Sequence, residues 1–293
     1  MIIYNTIMAV AAGAGLLTLV LFLRELLGMR KPAADGAVRP VAYDGWALSF
    51  GVLAAVLVTT GLHMTLVWPL DELPFDNIIF GEPALAFGLL MAALSFFLWR
   101  RRDELRASTN PVRDFSETLR PLTPFIVGMG LACIAILFVG NIYTLFAAPE
   151  WEPISGYFAK WPWFEAAIIS GLYGIIGIAA VLFPFAMNKV VEANAHRYPH
   201  VLTAGSTTGK RAAGAAPTAS ASVADQDAEA DREANAEAAR AVAATEQAVI
   251  PGLAKVVVAL LVAAGLFLLL FGALNYYTHV GMIMNELEMG MRP

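Results

Sequence analysis

One cysteine in 293 residues, Cys133, leaves no internal disulfide and no cysteine-based metal cluster to form. Charge is also scarce. Only 15% of the chain is Asp, Glu, Lys or Arg against 58% apolar residues, which excludes a soluble domain of ordinary composition. The signatures of familiar enzymes are missing, with no phosphate-binding glycine loop, no hydrolase nucleophile elbow and no H-E-x-x-H helix. Alternating strand patterns of the barrel type are missing too. Alone in the fourth apolar run, Cys133 reads as a small buried hydrophobe.

What the chain has in excess is apolar residues, gathered in runs of about 20, the length that crosses about 30 Å of hydrocarbon at 1.5 Å per helical residue. The runs lie at roughly 3–27, 46–69, 83–99, 123–146, 163–187 and 251–279. Hydrocarbon offers backbone groups no water, so such runs satisfy their own hydrogen bonds as helices. The fold expected is therefore all-α: a polytopic membrane protein, a bundle of six transmembrane helices, with a long disordered cytoplasmic linker before the last one. The first run is taken as a mature helix and not a signal peptide, because no basic residue precedes it and no A-x-A-like site follows before Arg24.

Basic residues orient the bundle. Arg24, Arg30, Lys31 and Arg39 follow the first run, and six arginines from Arg100 to Arg120 follow the third. Most of the rest, from Lys189 to Lys255, fall between the fifth and sixth. Of the nineteen Lys and Arg, only Lys160 and Arg292 fall on the other side, where Asp71, Asp76, Glu82, Glu150, Glu152, Glu165 and Glu286 gather. The positive-inside rule makes the basic side cytoplasmic and puts both termini outside, in a multi-pass protein of the cell membrane. Trp68, Trp151, Trp161 and Trp163 match an outer interfacial belt, and Trp46 and Trp99 an inner one. Bias of this kind explains the basic stretch 100–120 without nucleic acid as a partner, with attraction to anionic lipid as a secondary effect.

Residues 193–249 are of another material, rich in Ala, Ser, Thr, Asp and Glu, and too poor in large apolar groups to offset chain entropy. They are expected to be a disordered cytoplasmic linker whose second half has the helix propensity to dock on a partner. The chain thus divides into a five-helix region, 1–192, the linker, 193–249, and a sixth helix with a Met-rich outer tail, 250–293.

The outer loops carry two Glu-Pro pairs. In the first, W-P-L-D-E-L-P-F-D-N-I-I-F-G-E-P-A-L-A-F-G, Pro83 is expected to open the third helix, with Glu82 beside the positive end of its dipole. The second, A-P-E-W-E-P-I-S-G-Y-F, puts Glu152 and Pro153 between the fourth and fifth runs and suggests a weak parallel duplication of two hairpins. The W-P-L element, the I-I-F-G-E-P-A-L-A-F-G-L-L stretch and a helix ending in L-W-R resemble the bacterial and archaeal membrane proteins grouped as domain of unknown function 981, over roughly residues 45–185. That resemblance implies a compact multi-helix membrane fold and carries no activity, cofactor or catalytic residue with it.

Polar groups inside the runs are the remaining functional signal, since they are costly in lipid and turn to the bundle interior. His63, Glu82, Asn141 and His279 all fall near the outer boundary and form a candidate polar cluster. Two histidines on different helices fit haem, a metal or a quinone, and fit equally well as interhelical hydrogen-bonding glue. The tail adds Met282, Met284, Met289 and Met291, soft thioether donors that with His279 would suit copper, or that serve as flexible apolar filler. No cofactor is required by the sequence; copper and haem are the alternatives it admits. Three function classes follow. A non-enzymatic accessory or scaffold protein of the lipid bilayer, with a membrane-protein partner and helix packing through Gly171, Gly174 and Gly177, ranks first. A redox or metal-handling protein comes second, and a small transporter third, since no membrane-centre carboxylate pair marks an ion path.

Overall fold

The computed structural model describes residues 5–29, 40–71, 73–195 and 248–290, and among them all regular structure is helical. In chain order the helices are α1 (Asn5–Leu26), α2 (Tyr43–Val67), α3 (Pro74–Ala107), α4 (Pro111–Leu119), α5 (Thr123–Ile142), α6 (Pro162–Ala193) and α7 (Gly252–Glu288). Six are long and apolar enough to cross a membrane, α5 being counted together with α4, which leads into it. They alternate in direction. One end of the bundle gathers Arg24, Arg102, Arg106 and Lys189, and the other Asp76, Glu152, Glu165 and Glu286; these are the basic and acidic ends below.

Three close pairs, α1 with α7, α2 with α3 and α5 with α6, make up the bundle. Each pair is set by glycine at the crossing. A Cβ at Gly61 would lie 2.6 Å from the Leu85 nitrogen, one at Gly81 2.7 Å from the Met64 Cβ, and one at Gly177 2.6 Å from the Gly130 carbonyl oxygen. Gly272 approaches the Val10 nitrogen in the same way, so backbones touch where lipid supplies no hydrophobic drive and dispersion must do the packing. Of the three glycines expected to pack, Gly174 meets Leu137 and Gly177 meets Gly130, while Gly171 faces open space. The pairs then join by α1 on α2 and α6 on α7, giving the order α3, α2, α1, α7, α6, α5 around the bundle. Where α3 and α5 come together, contact is sparse.

At the basic end the core is aromatic. Phe22 is fully buried and takes Phe50, Trp46 and Phe115 edge-on, with ring centroids 5.5 to 5.7 Å away. Phe115 belongs to α4, an amphipathic helix of 9 residues that the sequence reading treated as loop. Asn110 caps it by accepting from the Arg113 N–H at 3.0 Å, and Val112 and Phe115 bury its apolar face. α3 also runs past its predicted end at residue 99 to Ala107, kinked at Arg101. Its last turns bring Arg102 and Arg106 to Asp44 of α2, at 3.4 and 2.7 Å. These pairs are exposed and contribute little to stability.

Two buried asparagines close the bundle by the same device. Asn77 accepts from the Leu70 N–H and donates to the Leu70 carbonyl, at 3.2 and 3.0 Å, locking the short α2–α3 connection. Asn194 accepts from the Val249 N–H at 2.9 Å and donates to the Val249 carbonyl at 2.8 Å, which ties the end of α6 to the start of α7. A side-chain amide here imitates a peptide group and satisfies both backbone groups of one residue. Except for its first and last residues, the expected linker 193–249 lies outside the described residues.

Pro83 does not open α3. The helix starts at Pro74, where a missing N–H costs nothing, and Asp76 takes the first-turn position that was assigned to Glu82. The acidic, proline-containing stretch 71–76 interrupts the apolar run and hides those two turns from a hydropathy reading. Pro83 sits inside the helix and cannot donate to the carbonyl of Ile79, four residues before it. The Tyr173 hydroxyl of α6 donates to that carbonyl instead, at 3.0 Å. Glu82 is exposed mid-helix and Glu152 is buried in a loop, so the two Glu-Pro pairs are not equivalent and lend the duplication no support.

Candidate functional site

Between α3 and the arc formed by α1, α7, α6 and α5 runs a cavity of about 750 Å³. Its wall on α3 extends from Asp76 to Phe97, which at 1.5 Å per residue is about 30 Å, the full thickness of a bilayer's hydrocarbon. The shaft is apolar: Met8, Leu16, Phe87, Met91, Phe183 and Phe271 are among its lining residues, and it reaches Phe115 and Leu119 of α4 at the basic end. Small residues leave room for it, with Ala12, Ala84 and Ala180 facing in from three helices.

Polar lining is confined almost wholly to the acidic end. Asn5 of α1, Asp76 of α3, Tyr173 and Glu165 of α6, and Asn275 and His279 of α7 meet there beneath the loop that carries Glu152. Some of these are satisfied. Glu165 accepts from the Ala148 N–H at 2.8 Å, and Glu152 accepts from the N–H groups of Ile154, Ser155 and Gly156, a closed nest of backbone donors. The others are not: Asn5 Oδ1, Asp76 Oδ1 and His279 Nδ1 are buried and have no hydrogen-bond partner. Among the described residues no Lys or Arg lines the cavity.

A loop roofs the acidic end. Pro149, Glu152, Ile154, Ser155 and Phe158 form its underside, and the last turns of α7 clamp it from the flank. Asn285 donates to the Trp151 carbonyl at 2.7 Å, the Trp151 indole N–H donates to Glu286 at 3.2 Å, and Pro153 packs over Gly281. Just before the loop, Phe146 adopts φ of 71°, a left-handed conformation that costs a bulky residue on the order of 1 kcal/mol. That turn sends its ring into the wall, stacked on Tyr173 at 6.3 Å and beside Phe80 at 5.8 Å.

Of the four residues expected to cluster, only His279 lines the cavity. His63, Glu82 and Asn141 are exposed on the flanks of α2, α3 and α5, and the Asn141 amide donates back to its own helix at Leu137, 2.7 Å away. α2 and α7 lie on either side of α1, which separates the two histidines. The methionines separate as well. α7 continues as a helix through Glu288, so Met282 is buried in the cavity wall while Met284, two residues on, is exposed, as is Met289. Met291 lies outside the described residues. Among the described residues no three His, Cys, Asp or Glu come together as a metal site. The sequence reading missed Asn5, and it noticed Asp76 only as part of an acidic loop.

A sequence model of the family described as Protein of unknown function (DUF981) matches residues 1–205. The chain belongs to this family. Its DUF981 region takes in α1 as well as α2 to α6, a wider span than the 45–185 resemblance suggested, while α7 lies beyond it. No curated protein and no solved structure matches the chain. The DUF981 match gives the family and carries no activity with it, and the cavity is closed on one side by a helix, α7, from outside the matched region.

Proposed function

We propose that this DUF981 protein is a multi-pass integral membrane protein of non-enzymatic, accessory type that holds a long lipid-soluble molecule in its central cavity. Membrane insertion is supported by the bundle's flanks, where Leu48, Leu66, Phe96, Phe138 and Leu270, on four helices, are each more than 60% exposed. Apolar surface on that scale has no stable place in water. The single observation that carries the ligand reading is the cavity itself, apolar along a bilayer's depth and polar at one end. A metal or haem reading has no comparable support, whereas a quinone-like lipid falls within the class that fits. Substitution of Ala84 and Ala180 by Phe would fill the shaft. Wild-type protein purified in mild detergent is expected to carry a lipophile that mass spectrometry of its organic extract detects, and the double variant to lose most of it while keeping its melting temperature. Wild-type extracts holding only bulk lipid in detergent-dependent amounts would reject the reading.

The basic end faces the cytoplasm in this proposal, as the distribution of Lys and Arg requires. Tyr157 of the acidic-end loop and Glu117 of α4 are both exposed and suit cysteine substitution. In intact cells an impermeant maleimide should label Tyr157→Cys and spare Glu117→Cys. The opposite pattern would invert the protein in the membrane.

A further inference from the structure

We propose that Asn5, Asp76 and His279 form a head-group site for a lipid alcohol, a long neutral chain ending in a hydrogen-bond-donating hydroxyl. This deepens the cavity reading and rests on it.

The argument starts from what is unsatisfied. Buried polar atoms in folded proteins have partners as a rule, and an orphan costs about 1–3 kcal/mol. Of four such orphans among the described residues, Ser170 lies outside the cavity lining, and the other three, on three helices, line the same end of one cavity. Among the described residues none of the three side chains takes part in a hydrogen bond or ion pair. By contrast Glu152, Glu165 and Tyr173, which share that end, are engaged with backbone groups and leave little for a ligand to satisfy.

The atoms also select the ligand. Asn5 Oδ1 is an acceptor, the Asp76 carboxyl keeps an acceptor oxygen in either protonation state, and an imidazole presents one donor and one acceptor nitrogen. A hydroxyl answers this set, because it donates to Asp76 or Asn5 while accepting from His279. A phosphate head brings negative charge toward Asp76, Glu152 and Glu165 with no lining Lys or Arg to meet it. An ether or a bare hydrocarbon leaves the acceptors orphaned. The chain must be long, since the shaft spans about 30 Å, whereas a single acyl tail fills only about half a bilayer.

The test uses the full chain in detergent and three probes of one six-isoprene chain length, long enough to run most of the shaft: hexaprenol, its methyl ether and its monophosphate. Affinity is read from quenching of tryptophan fluorescence and from the shift in melting temperature. The alcohol is expected to bind about tenfold more tightly than either analogue, the size of one good hydrogen bond. Asn5→Leu and His279→Leu should each remove most of that preference and leave affinity for the ether unchanged. Asp76→Asn, which keeps the volume and removes the acidic group, should relax the rejection of phosphate. Equal binding of all three probes to wild-type protein overturns the head-group site and leaves the chain site standing, as does a preference that survives both leucine variants. Failure of all three probes to bind overturns the chain site as well.

Discussion

Valine in place of Gly61 or Gly177 is expected to destabilise the bundle by about 3 kcal/mol or to abolish folded protein, whereas valine at Gly128 or Gly171 changes stability by less than about 0.5 kcal/mol. The four positions are alike in sequence terms, each a glycine within an apolar helix. They differ in what a Cβ would meet. At Gly61 it would press on the Leu85 nitrogen at 2.6 Å and the Gly81 oxygen at 2.9 Å, and at Gly177 on the Gly130 oxygen and the Ile134 nitrogen. All of these are backbone atoms of a partner helix, so relief requires the pair to separate along its length. Around Gly128 and Gly171 nothing lies within 4 Å. Thermal unfolding of the four variants in one detergent checks the contrast, and equal effects at all four would show that the pairs are not held by close backbone approach.

Replacement of Glu152 by Ala should cost about 3 kcal/mol, since charge-assisted bonds from backbone donors are the strong ones and their loss leaves N–H groups buried without partners. Ile154, Ser155 and Gly156 all point their N–H groups at one carboxylate oxygen, and that convergence folds the loop into its 3₁₀ turn at Ser155–Phe158. Glu152→Gln keeps an acceptor without the charge and should lose less than half as much. The effect is expected to be local. Limited proteolysis should cut Glu152→Ala within residues 149–160 while the helices stay resistant, and a uniform loss of resistance would mean that the nest supports the whole bundle instead.

How far the sequence carries can be judged helix by helix. Six apolar runs announced six long helices, because length and apolarity are fixed by what such a helix must cross. Their ends were less legible. α3 was placed to begin at Pro83 because that proline adjoins the apolar run, and the true start at Pro74 lies among charged residues and is held in place by the Asn77 bridge to Leu70. Rotation about the helix axis was not legible at all. His63 and His279 have the same chemistry at similar depth, yet one stands on the flank and the other in the cavity wall. In a soluble helix the polar face would have told them apart, but α2 and α7 are apolar all round, and lipid and protein interior ask for the same residues. Asn5 and Asp76 became visible as site residues only when α1 and α3 were brought to one cavity.

Asn194 carries a consequence for the chain between α6 and α7. By gripping both backbone groups of Val249, it brings the two ends of a stretch of more than fifty residues together at one point on the basic end. The joint between α6 and α7 is therefore a fixed point at the basic end, made by one side chain and one backbone residue 55 positions apart in the chain, and it works beside the glycine crossings that seat α7 on α1.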